Sequence, residues 1–155
     1  FRKGHFEGVL DIMDKFIKLI KPKYIFLGEK DFQQLFLIKN FIEKKYKSKI
    51  IACKTIRDNN KLALSSRNYL LNNEDLNIAR NIAKKMFNLK KIIKNKININ
   101  KFLLKEKIKL QKKFKVKFEY IECRNKNNLS ITNKFDKSKI FIAYYIKKIR
   151  LIDNF

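Results

Sequence analysis

The sequence predicts an α/β protein in two parts: a layer of helices and parallel strands over residues 1–57, and a small α+β domain with an antiparallel sheet over residues 58–155. Three observations predict it. Helix-period and strand-like segments alternate through the first third of the chain, as in a doubly wound layer. That alternation breaks near Ile56, where a polar, irregular stretch begins. Beyond it, two amphipathic helices are followed by three strand-like runs, the order of an α+β unit.

In chain order, "FEGVLDIMDKFIKLIK" sets Val9, Ile12, Met13, Phe16 and Ile20 at helical spacing, and Pro22 stops the helix. "KYIFLG" is a short, continuous apolar run with aromatic and β-branched residues, which suits a strand buried on both faces of a parallel sheet. "DFQQLFLIKNFIEKKYK" returns to the helical period through Leu35, Ile38 and Ile42, and "KIIAC" reads as a second buried strand. "RDNNKLALSSRNYLL" has no period. "NEDLNIARNIAKKMFNLKKIIK" is a long amphipathic helix using Leu76, Ala79, Ile82, Ala83, Met86 and Leu89. "KFLLKEKIKLQKKF" is another, with its lysines as a solvated face. "VKFEYIEC", "KIFIAYYI" and "IRLIDN" close the chain as strands, the last two forming a hairpin across Lys147 and Lys148.

At 155 residues and 45% hydrophobic content the chain can bury a core, and intrinsic disorder is excluded. Lysines interrupt every apolar stretch well short of the roughly 18 to 20 residues a membrane-spanning helix needs. "FRKGHFEGVL" lacks the apolar block and cleavage site of a secretory signal, and a chain opening on Phe1 reads as a fragment. Cys53 and Cys123 each end a strand-like run, where buried free thiols are expected. With His5 as the one histidine, no Cys/His zinc set and no Cys–His catalytic pair is present, so no protein metal site is expected.

The net charge of +25 invites a nucleic-acid reading. Two details oppose it. Only six of the 39 basic residues are arginine, the better residue for bidentate phosphate and base contacts. The lysines also travel with abundant Ile, Asn, Phe and Tyr, the residue set of A- and T-rich codons, so genome drift accounts for them without a polyanionic partner.

Three stretches carry chemistry. Gly28 ends the first strand, and ligands in open α/β sheets bind at the carboxyl ends of strands. A glycine there lets a ligand lie against the backbone and tolerates dihedrals other residues resist. Lys30 then offers a mobile positive charge to a phosphate, beside a helix N-terminus that also favours anions. Asp31 and Gln34 have the spacing of a capping box, and spacing alone leaves capping and ligand contact equally open. In "LALSSRN", Ser65, Ser66 and Arg67 can surround a phosphate with donors, or simply cap a helix while Arg67 makes a surface pair. In "RKGHFEGV", Arg2 and His5 flank Gly4, and a histidine near a helix start more often caps or packs than binds. All three glycines fall in the first and third of these stretches.

"RKGHFEGV", "FLGEKDFQQL", "LALSSRN" and the terminal "RLIDN", in this order and at this spacing, resemble the pantothenate synthetase family, the pantoate–β-alanine ligases. The resemblance runs along the whole chain. It implies a Rossmann-like nucleotidyltransferase domain, of which residues 1–57 are the end, followed by the smaller domain. It also implies an AMP-forming ligase that joins pantoate and β-alanine through a pantoyl-adenylate, with ATP as substrate and Mg²⁺. A cytoplasmic homodimer acting on small molecules follows, with neither nucleic acid nor membrane as partner. Carried over by residue, Gly28, Glu29, Lys30 and Asp31 would contact ATP, and Ile56 would offer a backbone contact to adenine. Leu64, Ser65, Ser66 and Arg67 would form the mobile phosphate loop. Gln34 would bind pantoate, with Arg2 and His5 supporting that pocket.

The family's paired-histidine ATP motif, with its proton-donating histidine, cannot lie in a chain whose one histidine is His5. The chain therefore reads as the downstream half. Lys61 stands where the family usually has glycine before "LALSS", which bears on how the loop closes. Lys147 stands in a final turn that usually contains glycine, which bears on the hairpin. In the implied reaction no protein nucleophile is needed, and Lys30 is the candidate for stabilising charge at phosphorus. The rival readings are another adenylate-forming enzyme and a basic nucleic-acid-binding module.

Overall fold

A computed structural model of the protein describes residues 4–155. The chain divides into two compact units, one ending at Thr55 and the other running Ile56–Phe155. As the sequence predicts, the first holds a parallel strand pair and the second a small antiparallel sheet.

The first unit is helix α1 (His5–Ile20), strand β1 (Tyr24–Gly28), helix α2 (Phe32–Lys45) and strand β2 (Lys49–Cys53). β1 and β2 pair in parallel from Tyr24 against Lys49 to Gly28 against Cys53, so their carboxyl ends finish side by side. Leu35, Ile38 and Ile42 of α2 are buried at the expected spacing, and with Ile17 of α1 and Ile50 of β2 they form the core of this unit. Asp14 of α1 accepts from Lys18, from Lys45 at 2.7 Å and from Tyr46 at 2.6 Å, tying α1 to the end of α2. These donors, Lys18 foremost, hold its carboxyl well below the ordinary carboxylate range.

Three expectations fail here, for one reason. β1 and β2 are not buried on both faces: Ile25, Leu27 and Ile50 turn toward the core, while Tyr24, Phe26 and Ile51 turn out and Phe26 is 67% exposed. Cys53 belongs to that outward row and is exposed, whereas Cys123 is buried as expected. On α1 the residue buried is Ile17, and the expected Ile12, Phe16 and Ile20 are exposed together with Leu19. The apolar arc of α1 spans about half its circumference, and only the side carrying Val9, Leu10, Met13 and Ile17 is covered, so the expected Val9 and Met13 do face the core. A periodic pattern shows that a face is apolar, not what lies against it.

The second unit contains helices α3 (Asn73–Ile92) and α4 (Ile99–Phe114) and strands β3 (Lys117–Asn125), β4 (Ser138–Ile146) and β5 (Ile149–Asn154). The Asn72 and Asn98 side chains cap α3 and α4 by accepting from the backbone N–H groups of Asp75 and Lys101. Ala79, Ile82, Ala83, Met86 and Leu89 of α3 are buried together with Ile121, Ile140 and Ile142 of the sheet. β4 is central, flanked antiparallel by β3 and β5. A bulge at Glu119 interrupts the β3 register between Phe118 and Tyr120, and the Glu119 carboxylate accepts from Arg150 Nε of β5 at 2.6 Å. Among the described residues no helix is long and apolar enough to cross a membrane.

Both lysines noted at glycine positions adopt left-handed backbone, Lys61 at φ 73° and Lys147 at φ 53°. The β4–β5 hairpin still closes in register, Ile146 opposite Ile149. A side chain in that region costs about 1–2 kcal/mol, but Lys147 regains part of it, because its ammonium lies 2.6 Å from the largely buried Asp75 carboxylate. Lys61→Gly is therefore expected to stabilise the chain by about 0.5–1 kcal/mol after the added freedom of the unfolded glycine is deducted. Lys147→Gly should gain less or nothing, since it removes a partner of Asp75. Denaturant midpoints of the two variants check the contrast.

Candidate active site

Gly28 closes β1 at the carboxyl edge of the parallel pair. Glu29–Asp31 follow as a single 3₁₀ turn that runs straight into α2, so all three residues stand where the free N–H groups of a helix start gather. Lys30 is half-buried, its ammonium 3.9 Å from the Asp31 carboxylate, an ionic approach longer than a hydrogen bond. Asp31 occupies the N-cap position of α2, yet its side chain makes no capping bond. The capping-box alternative for Asp31 is therefore not realised. Gln34 sits in the first turn of α2, half-buried.

The backbone at Gly28 corrects half of the argument for glycine. Its φ of −71° and ψ of 133° are available to any residue. A Cβ built there would meet no atom within 4 Å. Neither strain nor crowding within the described chain calls for a glycine at this strand end. His5 is the first residue of α1 and exposed, with left-handed Gly4 before it. Arg2 lies outside the described residues.

The second cluster lies at the start of the other unit. Residues 57 to 63 fold back as a small hairpin, with Arg57 bridged to Ala63 and the turn closed by Lys61 N–H donating to Asp58 O at 2.9 Å. The Asp58 carboxylate accepts from the N–H groups of Asn60 and Leu62 and from Arg80 Nε. Exposed Ile56 accepts through its carbonyl from Leu64 N–H at 3.0 Å. Ser66–Leu70 form a 3₁₀ helix that Ser65 caps, its Oγ accepting from Arg67 N–H at 3.3 Å. The cap reading of Ser65 is thus realised, while Ser66 and Leu64 are exposed. Among the described residues Arg67 has no ion pair with an acid, and its Nη1 donates to the Arg150 carbonyl at 2.9 Å.

The sequence reading missed the residues that hold this cluster. The Arg57 guanidinium grips Asp153 with two bonds, 2.7 and 2.8 Å, and donates to the carbonyls of Lys61 and Asn154. Arg57 and Asp153 are 96 positions apart in sequence. The available signal was an acid inside "RLIDN", a strand-like run whose neighbours pack against a core.

The comparisons with known proteins agree along the whole chain. A family model described as pantoate-beta-alanine ligase matches residues 1–155. A pantothenate synthetase of Sulfurihydrogenibium sp. is 34% identical over 159 residues, covering 99% of this chain and 56% of that protein. One from Francisella tularensis is 36% identical over 159 residues, covering 99% and 51%. Among solved structures, the pantothenate synthetase of Thermus thermophilus superimposes with a TM-score of 0.83 at 22% identity, a likeness of fold, covering 99% of this chain and 56% of that one. The pantoate-beta-alanine ligase of Francisella tularensis, solved in complex with beta-gamma ATP and beta-alanine, superimposes with a TM-score of 0.74 at 36% identity, covering 99% and 51%. The chain spans about half the length of the curated relatives it matches.

Proposed function

The chain belongs to the pantoate-beta-alanine ligase family, and from that premise we propose that it supplies part of the site of an enzyme joining pantoate to β-alanine with ATP. A pantoate carboxylate oxygen attacks the α-phosphorus, the bond to the bridging oxygen breaks, and pyrophosphate leaves. The β-alanine amine then attacks the acyl carbon of the pantoyl-adenylate, AMP departs, and the amine gives up a proton. The observation that carries this reading is the family match from the first residue to the last. It is supported by the relative at 36% identity that was solved with beta-gamma ATP and beta-alanine.

Within that reading, Gly28, Glu29, Lys30 and Asp31 hold ATP at the end of the Rossmann-like sheet, with Ile56 toward adenine and Leu64, Ser65, Ser66 and Arg67 on the phosphates. Gln34 binds pantoate, with His5 and Arg2 in support. The uncapped Asp31 carboxylate and a strand-end glycine that its own fold does not require support a ligand at this place. Among the described residues no three His, Cys, Asp or Glu side chains gather around a metal position. Mg²⁺ carried on triphosphate oxygens needs only one or two carboxylates, and Glu29 and Asp31 are the ones placed at this strand end. The complete enzyme is a cytoplasmic homodimer in this proposal.

Half-length coverage and the uncovered apolar faces of α1 and the β1–β2 pair support a further point: catalysis needs the rest of the family's sequence, which brings the proton-donating histidine. The test is pantoate-dependent ATP–pyrophosphate exchange. It is run on residues 1–155 alone and with the part of the Francisella ligase that this chain does not match. Exchange in the mixture and none in the chain alone is the expected result. No exchange in either, with both polypeptides folded, overturns the assignment, and a panel of other carboxylates then asks which acid is activated.

A further inference from the structure

We propose that Asp153 is a positioning residue for the phosphate loop: acting through Arg57, it fixes the root of residues 57–67 to β5, while the single bond from Arg67 to the Arg150 carbonyl is the end that releases. The inference rests on the function proposed above for that loop, but its first test does not.

The root is held by four hydrogen bonds and two aromatic rings around one guanidinium. The Asp153 carboxylate accepts from both terminal nitrogens of the Arg57 guanidinium, the two-bond pairing that gives arginine–carboxylate contacts their directionality. The carbonyls of Lys61 and Asn154 accept from the same guanidinium as well, at 2.9 and 3.1 Å. The rings of Phe87 and Phe155 lie 5.1 and 4.9 Å from the guanidinium carbon, within cation–π range. Both charged side chains are largely buried, so solvent cannot replace one partner without exposing the other.

From this root the chain makes the 57–63 hairpin and reaches Ser65–Arg67. There the second contact to β5 is of another kind: one of the five guanidinium donors, on a neutral carbonyl. Arg150 is itself steadied by Glu119 at the bulge, so the carbonyl that Arg67 uses stays in place. A neutral acceptor is readily exchanged for a phosphate oxygen, because a guanidinium bonds an anionic acceptor more strongly than a neutral one. The two contacts therefore divide the work: the Arg57–Asp153 pair sets where the loop begins, and Arg67 can leave β5 without moving that origin.

Hydrogen–deuterium exchange on the 155-residue chain, without ligand, tests the root. Asp153→Asn keeps the shape but loses the charge and one acceptor. The amides of Leu62 and Leu64, bonded to Asp58 and Ile56, are expected to exchange at least about tenfold faster. Those of Ile121 and Ile142 inside the sheet should be unchanged. Arg57→Lys, which keeps the charge and gives up the fork, should release the same amides and not rescue them. It also decides the matter if the Asn variant fails to fold. Unchanged loop amides, or a rise shared equally by Ile142, overturns the proposal in favour of a purely structural pair. In the complete enzyme the positioning role further predicts a roughly tenfold higher half-saturating ATP concentration in Asp153→Asn, with that for pantoate unmoved.

Discussion

Lys30→Ala is expected to lower pantoate-dependent ATP–pyrophosphate exchange of the complete enzyme by about 10² to 10³-fold, the usual cost of losing one preorganised donor to developing charge. The expectation starts from position. Lys30 stands in the single 3₁₀ turn between the end of β1 and the start of α2, where backbone N–H groups already favour an anion. The ammonium is half-buried, so its charge is less screened than that of a fully exposed lysine. The loss should appear in the rate more than in the ATP concentration at half-saturation, because the charge acts most strongly once negative charge builds at phosphorus. Thermal midpoints of the variant and its parent, measured alongside, separate a loss of rate from a loss of fold. Near-normal turnover in Lys30→Ala removes the lysine from the mechanism.

Gly28→Val carries the second large effect, and its interest is the separation of folding from binding. With φ of −71° and no atom within 4 Å of a built Cβ, valine fits the described backbone, and a β-branched residue suits a strand end. Stability should hold or rise slightly, because valine has fewer unfolded conformations than glycine. If ATP lies against this backbone, the same side chain occupies ligand volume. Overpacking of that kind costs about 1–3 kcal/mol, so ATP should bind roughly 5 to 150-fold more weakly. Isothermal titration with ATP, alongside a denaturation curve, reads both quantities. Unaltered ATP affinity would show that the glycine serves neither the fold nor the nucleotide.

Much of the architecture was legible from period alone. In α3, Ala79, Ile82, Ala83, Met86 and Leu89 recur on one face and are all buried, because in that unit the sheet that covers the helix belongs to the same chain. The hairpin across Lys147 and Lys148 was legible too, since two apolar runs separated by two polar residues have few other ways to pair. α1 and the parallel pair were read less well. Their apolar residues were identified correctly, but Ile12, Phe16, Phe26 and Ile51 are exposed.

The same division runs through the candidate site. "GEKD" and "LSSRN" announce themselves in the sequence because backbone approach and clustered donors are local properties. Left-handed Lys61 and Lys147 could be anticipated on the same ground, since a turn demands a backbone region whatever residue fills it. The grip of Arg57 on Asp153, the placing of Arg67 on the Arg150 carbonyl and the outward turn of Cys53 could not be read that way. The sequence by itself determined which segments are helix or strand, their order, and which family they belong to. Only the tertiary structure decided which apolar faces are covered and which charges meet, because burial and pairing depend on groups brought together from distant positions, and a local pattern carries no record of its distant partner.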